Sequence, residues 1–250
     1  SGVSENTGTG MVLKYKTVGP TTFQFVSNAM LHYFVKWECP PNYNLPSCVH
    51  NYLVAEPAVA ASPRPVDVAL HCWGGWMEGG YGWWYEAEHG ALLVASNQIP
   101  YDWWTAFHEN NGTIKPWTNV ESNASGVCHN YSQKRVWSFI NDFVANRWTI
   151  DRNHIILSGV SMGGSGTSMW GIRAGERFAY IDSWVGVHIA RGTDHFRDSY
   201  AAVYGPDAWG CLYEDTGMSV WDYWDDNQWL RAHVATETPF ITFANGKNDW

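Results

Sequence analysis

A chain of 250 residues is the size of one large α/β domain and long enough to bury a substantial core. Its formal charge of -9, with no cluster of Lys and Arg, excludes the electrostatic footprint that binding to nucleic acid or an anionic membrane requires. No run of about 18 apolar residues is present to span a bilayer as a helix.

The chain opens at Ser1 without the charged-then-apolar pattern of a signal peptide, so it reads as processed or trimmed. Residues Ser1 to Gly10 are rich in Gly, Ser, Thr and Asn and read as mobile, with order expected from about Met11. Thr21 to Ser27 and Leu31 to Glu38 carry aromatic and β-branched residues in partial alternation, as antiparallel strands at a sheet edge would. Cys39-Pro40-Pro41 stops the second, and the proline-rich stretch up to Pro65 reads as a connection over the surface. Cys39 and Cys48 flank that loop, either as a local disulfide or as two reduced thiols. The five cysteines show no metal-ligand spacing, and no metal or organic cofactor is implied.

Val66 to Leu70 reads as a buried strand, and His71-Cys72-Trp73-Gly74-Gly75-Trp76 follows it directly. A glycine-rich loop at the C-terminal edge of a strand lets backbone N–H groups converge on an anion; an ordinary glycine turn is the alternative. Ala91 to Ser96 is the next apolar run. The loop Asn97 to Asn130 is long and aromatic, with Tyr101, Trp103, Trp104 and Trp117. Three Asn-Xaa-Ser/Thr sequons at Asn111, Asn123 and Asn130 suggest a polar surface loop and, with the odd cysteine count and few Lys, a secreted or periplasmic protein. From Ser132, a plausible N-cap, Val136, Phe139, Ile140, Phe143 and Val144 fall on one helical face. Asp151-Arg152-Asn153 reads as the turn into the next strand.

The stretch from Ile155 to Gly166 has the pattern of strand, tight turn and helix start, with Ser161 at the apex of a Gly-Xaa-Ser-Xaa-Gly pentad. Gly159 and Gly163 supply room for a strained reversal, and the Met162 N–H faces the space above the serine. The helix is expected to run to about Ala174 and stop at Gly175. Asp182 to Val187 reads as a short strand, His188 to Thr238 as an irregular insertion over the sheet edge, and Phe240 to Ala244 as a final strand. A paired-carboxylate glycosidase site among Glu214, Asp215, Asp222 and Asp225 has no spacing to select any pair, and most of these acids are expected to be solvated.

These ordered pieces resemble the α/β-hydrolase superfamily over about Val66 to Asp249. More narrowly, they are similar to the esterase branch containing feruloyl and acetyl-xylan esterases, polyhydroxybutyrate depolymerases and prolyl-oligopeptidase-like enzymes. The resemblance rests on the His71 to Gly75 loop, the Ser161-Met162-Gly163-Gly164 elbow and Gly246-Lys247-Asn248-Asp249. It implies a single domain with a mostly parallel sheet flanked by helices, no cofactor, Ser161 as nucleophile, Asp249 as triad acid, and Met162 and Trp73 as oxyanion donors. Cys72 departs from the family's glycine. Family order places the histidine base after one further strand, so it is expected beyond Trp250 and the sequence reads as truncated there. His188, expected to leave its strand on the same edge as Ser161, is the best internal candidate; otherwise it is a pocket-wall residue contacting substrate along with Trp76. His195 beside Asp194 is weaker, and His71 more plausibly orders its own loop.

Trp73, Trp76, Trp83, Trp84, Trp103 and Trp104 all follow the C-terminal edge of the sheet, where flat rings suit a bulky or polymeric ester. The expected activity is that of a serine esterase on a carbohydrate ester or polyester. A prolyl-oligopeptidase-like peptidase and a noncatalytic glycan- or polymer-binding protein are the alternatives.

Overall fold

A computed structural model describes residues 4–7, 9–24, 26–43, 49–79, 89–98, 101–109, 126–214 and 216–246. Strands β1 (Ser4–Asn6), β2 (Gly10–Phe23), β3 (Val26–Glu38), β4 (Val49–Glu56), β5 (Arg64–Leu70) and β6 (Leu92–Ser96) are followed by the short β7 (Phe107–His108) and β8 (Val127–His129). Helix α1 (Tyr131–Phe139) continues through a π-helical turn (Ile140–Val144) into α2 (Ala145–Arg147). Then come β9 (Ile150–Val160), α3 (Met162–Arg173), β10 (Tyr180–Trp184), α4 (Arg197–Tyr204), β11 (Leu212–Tyr213), α5 (Val220–Tyr223), α6 (Asp226–Ala232) and β12 (Phe240–Ala244).

Nine strands form one sheet in the order β1-β2-β3-β4-β6-β5-β9-β10-β12. The five from β6 to β12 run parallel, and β1 to β4 extend the sheet by antiparallel pairing. Side-chain alternation divides the core between the two faces. Val66, Val68 and Leu70 of β5 pack with the helices and the aromatic loop on one face, whereas Ala69 meets Leu53, Ala55, Leu93 and Ala95 on the other. β7, β8 and β11 form a separate small sheet.

The expected α/β sheet is present, with these corrections. The stretch Thr21 to Ser27 contains a hairpin turn, with Gln24 at φ 45°, rather than one strand. The proline-rich connection contains β4, which is buried between β3 and β6; its short apolar run is bounded by prolines and lacks alternation because both of its faces are covered. Asp151 to Asn153 already lie inside β9. The N-cap of α1 is Asn130, whose Oδ1 accepts the Gln133 N–H at 3.1 Å. Asn130 is also 5% exposed and donates to Gln133 Oε1 and Tyr213 Oη, so its sequon does not stand in a surface loop. The segment after His188 is substantially helical, with its indoles Trp221, Trp224 and Trp229 buried in the core. Cys48, Trp83, Trp84, Trp117, Asn111 and Asn123 lie outside the described residues.

Candidate active site

The parallel register sets Leu70, Gly159 and Ser183 level across β5, β9 and β10, so the loops that follow these strands emerge at one edge. Ser161 is the single residue between β9 and α3, with φ 56° and ψ -118°, a region that L-residues occupy only under strain. A Cβ on Gly163 would stand 2.0 Å from the Leu70 carbonyl oxygen, and one on Gly159 would stand 2.5 Å from the Gly163 carbonyl. Both positions therefore require glycine, which allows α3 to double back against its own strand and the end of β5. Neighbours hold the corner. The Ser161 N–H donates to Trp184 O at 2.8 Å, while Ser161 O accepts from the Ser165 N–H at 2.9 Å and the Ser165 hydroxyl at 3.1 Å.

Met162 occupies the first position of α3, where a backbone N–H has no partner within the helix and points along the positive end of its dipole. On the neighbouring strand, Cys72 to Gly75 form a tight turn closed by the Gly75 N–H on Cys72 O at 2.9 Å. Gly74 lies at φ 71° in its third position, as a type II turn demands. This turn presents Trp73 above the edge, its ring exposed and 5.0 Å from that of Tyr101. Trp76 is 64% exposed and, with Met77, Glu78 and Asn97, lines a small cavity.

The loop is anchored from below by His71. Its Nε2 accepts the Gln98 N–H at 2.9 Å and its Nδ1–H donates to Cys72 O at 2.8 Å, an arrangement that fixes the neutral tautomer. Burial pushes its pKa down to about 4. With both nitrogens engaged, His71 is a structural latch, as its position in the sequence suggested. Trp103 and Trp104 in the adjacent loop are buried rather than open: Trp104 donates its indole N–H to His71 O at 3.1 Å, and Gly166 of α3 packs against the Trp104 Cβ. Asp102 shapes this loop by accepting the Trp104 N–H at 2.9 Å and the Ser132 hydroxyl at 2.7 Å. Complete burial raises its pKa to about 7.

His188 lies lower than expected. After β10 the chain turns at Val185, φ 46°, and descends along α3, with Gly186 against Gly164 and the Val187 N–H donating to Ser165 Oγ at 2.8 Å. His188 Nδ1 then meets Ser168 Oγ at 2.8 Å. Ser168 is seven residues past Ser161, about 10 Å along the helix, so the imidazole sits beside the second turn of α3 and not over the elbow. The Ser168 hydroxyl donates to Ser165 O at 3.2 Å, so Nδ1 carries the proton and Nε2 is left as an acceptor near Asn245 Nδ2. Asp226 Oδ2 stands 3.8 Å behind Nδ1, and its other oxygen accepts from Arg173 at 2.6 Å. His188 lines a cavity of about 340 Å³ with Gly186, Thr193 and Asn245.

No protein-family model matches the sequence, and no curated protein matches it. Solved structures share its fold. S-formylglutathione hydrolase FrmB from Staphylococcus aureus superposes with a TM-score of 0.54 at 18% identity, over 87% of this chain and 80% of that one. The fluorophosphonate-binding serine hydrolase FphF of the same organism gives 0.50 at 16% identity, over 95% and 80%. An S-formylglutathione hydrolase from Agrobacterium tumefaciens gives 0.50 at 14%, over 98% and 78%. The fold is that of the α/β-hydrolases.

In an α/β-hydrolase the triad runs Ser, acid, His along the chain. Ser161 stands at the elbow, with Met162 and the Trp73 turn beside it. Ala244, the last residue of β12, is level with Trp184 and Val160, so the chain leaves β12 at the same edge as Ser161, but Asp249 lies outside the described residues. Among the described residues no histidine is hydrogen-bonded to the Ser161 hydroxyl. The acids of the glycosidase alternative have other partners. Glu214 holds His129, Lys134 and the Asn130 N–H; Asp222 pairs with Arg191; and Asp225 caps α6. Asp215 is outside the described residues. Sequence reasoning missed Asp102, Arg135 and Asp226. For Arg135 a signal existed, a cation directly before the apolar face of a helix.

Proposed function

We propose that this protein is a serine hydrolase that cleaves carboxylic esters through an acyl-enzyme, acting outside the cytoplasm on a carbohydrate ester or polyester. The observation that carries the reading is the backbone of Ser161, a non-glycine residue strained at a strand-to-helix corner where Gly159 and Gly163 leave its hydroxyl above the sheet edge. In the proposed reaction a base removes the Ser161 hydroxyl proton and Oγ bonds to the ester carbonyl carbon. The Met162 and Trp73 N–H groups receive the oxyanion. Collapse breaks the bond to the alcohol, which leaves with the proton from the base, and water repeats the sequence to release the acid. Asp249 is assigned to orient a histidine base. His71 and His188 do not fill that place, the first because both nitrogens are bonded and the second because it stands two helical turns away. The exposed rings of Trp73 and Trp76 support a large substrate.

The test is labelling with a fluorophosphonate probe together with turnover of p-nitrophenyl acetate, acetylated xylan and an aliphatic polyester. Wild type is expected to label and Ser161→Ala not to; equal labelling of both overturns the assignment. Saturable polymer binding with neither labelling nor turnover would instead support a binding protein on this fold.

A further inference from the structure

Arg135 is fully buried on α1, yet no carboxylate pairs with it among the described residues. The nearby Glu38 is already neutralised by Lys36 at 2.7 Å and receives the Tyr52 hydroxyl. A guanidinium kept from water and joined to its nearest carboxylate, Glu38, only through the Tyr52 hydroxyl is costly, and such a group persists where its fork does something that apolar packing cannot. Here the fork grips one short segment. Nη1 donates to Ser96 Oγ and Nη2 to Asn97 O, both at 2.6 Å, and a longer bond from Nη1 to Tyr52 Oη at 3.3 Å fixes the plane.

Residues 96 to 98 hold the Cys72 to Met77 loop at both ends. At one end the Gln98 N–H binds His71 Nε2; at the other, Asn97 Oδ1 accepts the Met77 N–H at 2.8 Å. The His71 latch in turn donates to Cys72 O, the same oxygen that closes the Trp73 turn. We infer that Arg135 is a positioning residue for the oxyanion loop, acting through Ser96, Asn97 and Gln98 to hold the Trp73 N–H in the orientation the transition state needs. The inference rests on the proposed esterase reading for its catalytic consequence but on the hydrogen bonds alone for the clamp.

The consequence is a specific kinetic pattern. A donor that meets the oxyanion only after attack affects the transition state more than the bound ester. Arg135→Lys keeps a charge but cannot make two parallel bonds, and Asn97→Ala releases the Met77 end while leaving the core cation in place. Each is expected to lower kcat on p-nitrophenyl acetate by about 10-fold with KM changed by less than about 3-fold. Because both act on one loop, the double variant should lose less than the product of the two single losses. Hydrogen exchange supplies a readout independent of turnover. The Met77 and Gln98 amides should exchange at least about 10-fold faster in Arg135→Lys, while amides in the middle of β9 keep their wild-type rates. A change in KM alone, multiplicative losses, or unaltered exchange at Met77 and Gln98 overturns the assignment. If wild type neither turns over ester nor takes up the probe, the esterase reading fails, and the exchange rates alone decide for or against the clamp.

Discussion

Ser161, the proposed nucleophile, sits in a backbone conformation that works against local stability. Its backbone angles fall where a side chain costs on the order of 1 kcal/mol or more, a strain tolerated because Trp184 O and Ser165 hold the corner from both sides. Ser161→Gly should therefore raise stability by about 1 kcal/mol, read as a higher urea midpoint with unchanged m, while removing the proposed nucleophile. This corner was legible in the sequence because its geometry depends on residues within a few positions of one another: two glycines, a β-branched run and a serine. Asp102 and Arg135 were not legible for the opposite reason. Their partners, Ser132 for the first and Ser96 and Asn97 for the second, are 30 or more positions away in the chain. His188 shows the limit of extrapolating from a strand. The pattern located β10, but nothing in it indicated that Val185 would turn the chain down along α3.

Among the elements, α1 carries the most information about what a periodic pattern can tell. Val136, Phe139, Ile140, Phe143 and Val144 are all buried, although only part of the stretch is α-helical. A π turn widens the repeat without moving Phe143 and Val144 off the core face, so burial was readable while hydrogen-bond register was not. The start of the helix depends on Asn130, which caps Gln133 and also reaches Tyr213 on the small sheet. Asn130→Ala should cost about 2 kcal/mol, more than an isolated cap, because a buried tyrosine hydroxyl loses its partner as well. Thermal or urea unfolding would measure it, and a loss below about 0.5 kcal/mol would contradict the double role. β4 was missed because its neighbours β3 and β6 cover both faces, which leaves an apolar run without alternation between prolines that suggest a loop.

At the scale of the whole molecule, two buried groups should give pH dependences of opposite sign. The pKa of His71 falls from an ordinary 6.5 to about 4 on folding, so its contribution is complete above pH 6.5 and lost as pH drops toward 4. That of Asp102 rises from 3.8 to about 7, so its contribution is complete below pH 3.8 and lost as pH climbs through 7. Each amounts to on the order of 3 kcal/mol, and in wild type the two slopes largely cancel. Asp102→Asn should expose the histidine slope, with stability rising from pH 4 to 6.5, and His71→Gln the reverse; parallel urea titrations of the three proteins would show it. Variants whose stability tracks that of wild type at every pH would rule it out. The same pair has a bearing on sustained turnover. On the proposed activity each ester cleaved would liberate an acid and acidify the surrounding solution. Between about pH 4 and 7 the folded protein keeps His71 as the neutral imidazole, its single ring proton on Nδ1, and Asp102 as the protonated acid, so neither carries a charge. The packing beneath the Trp73 turn should thus be insensitive to the acid that the proposed reaction would release across that range.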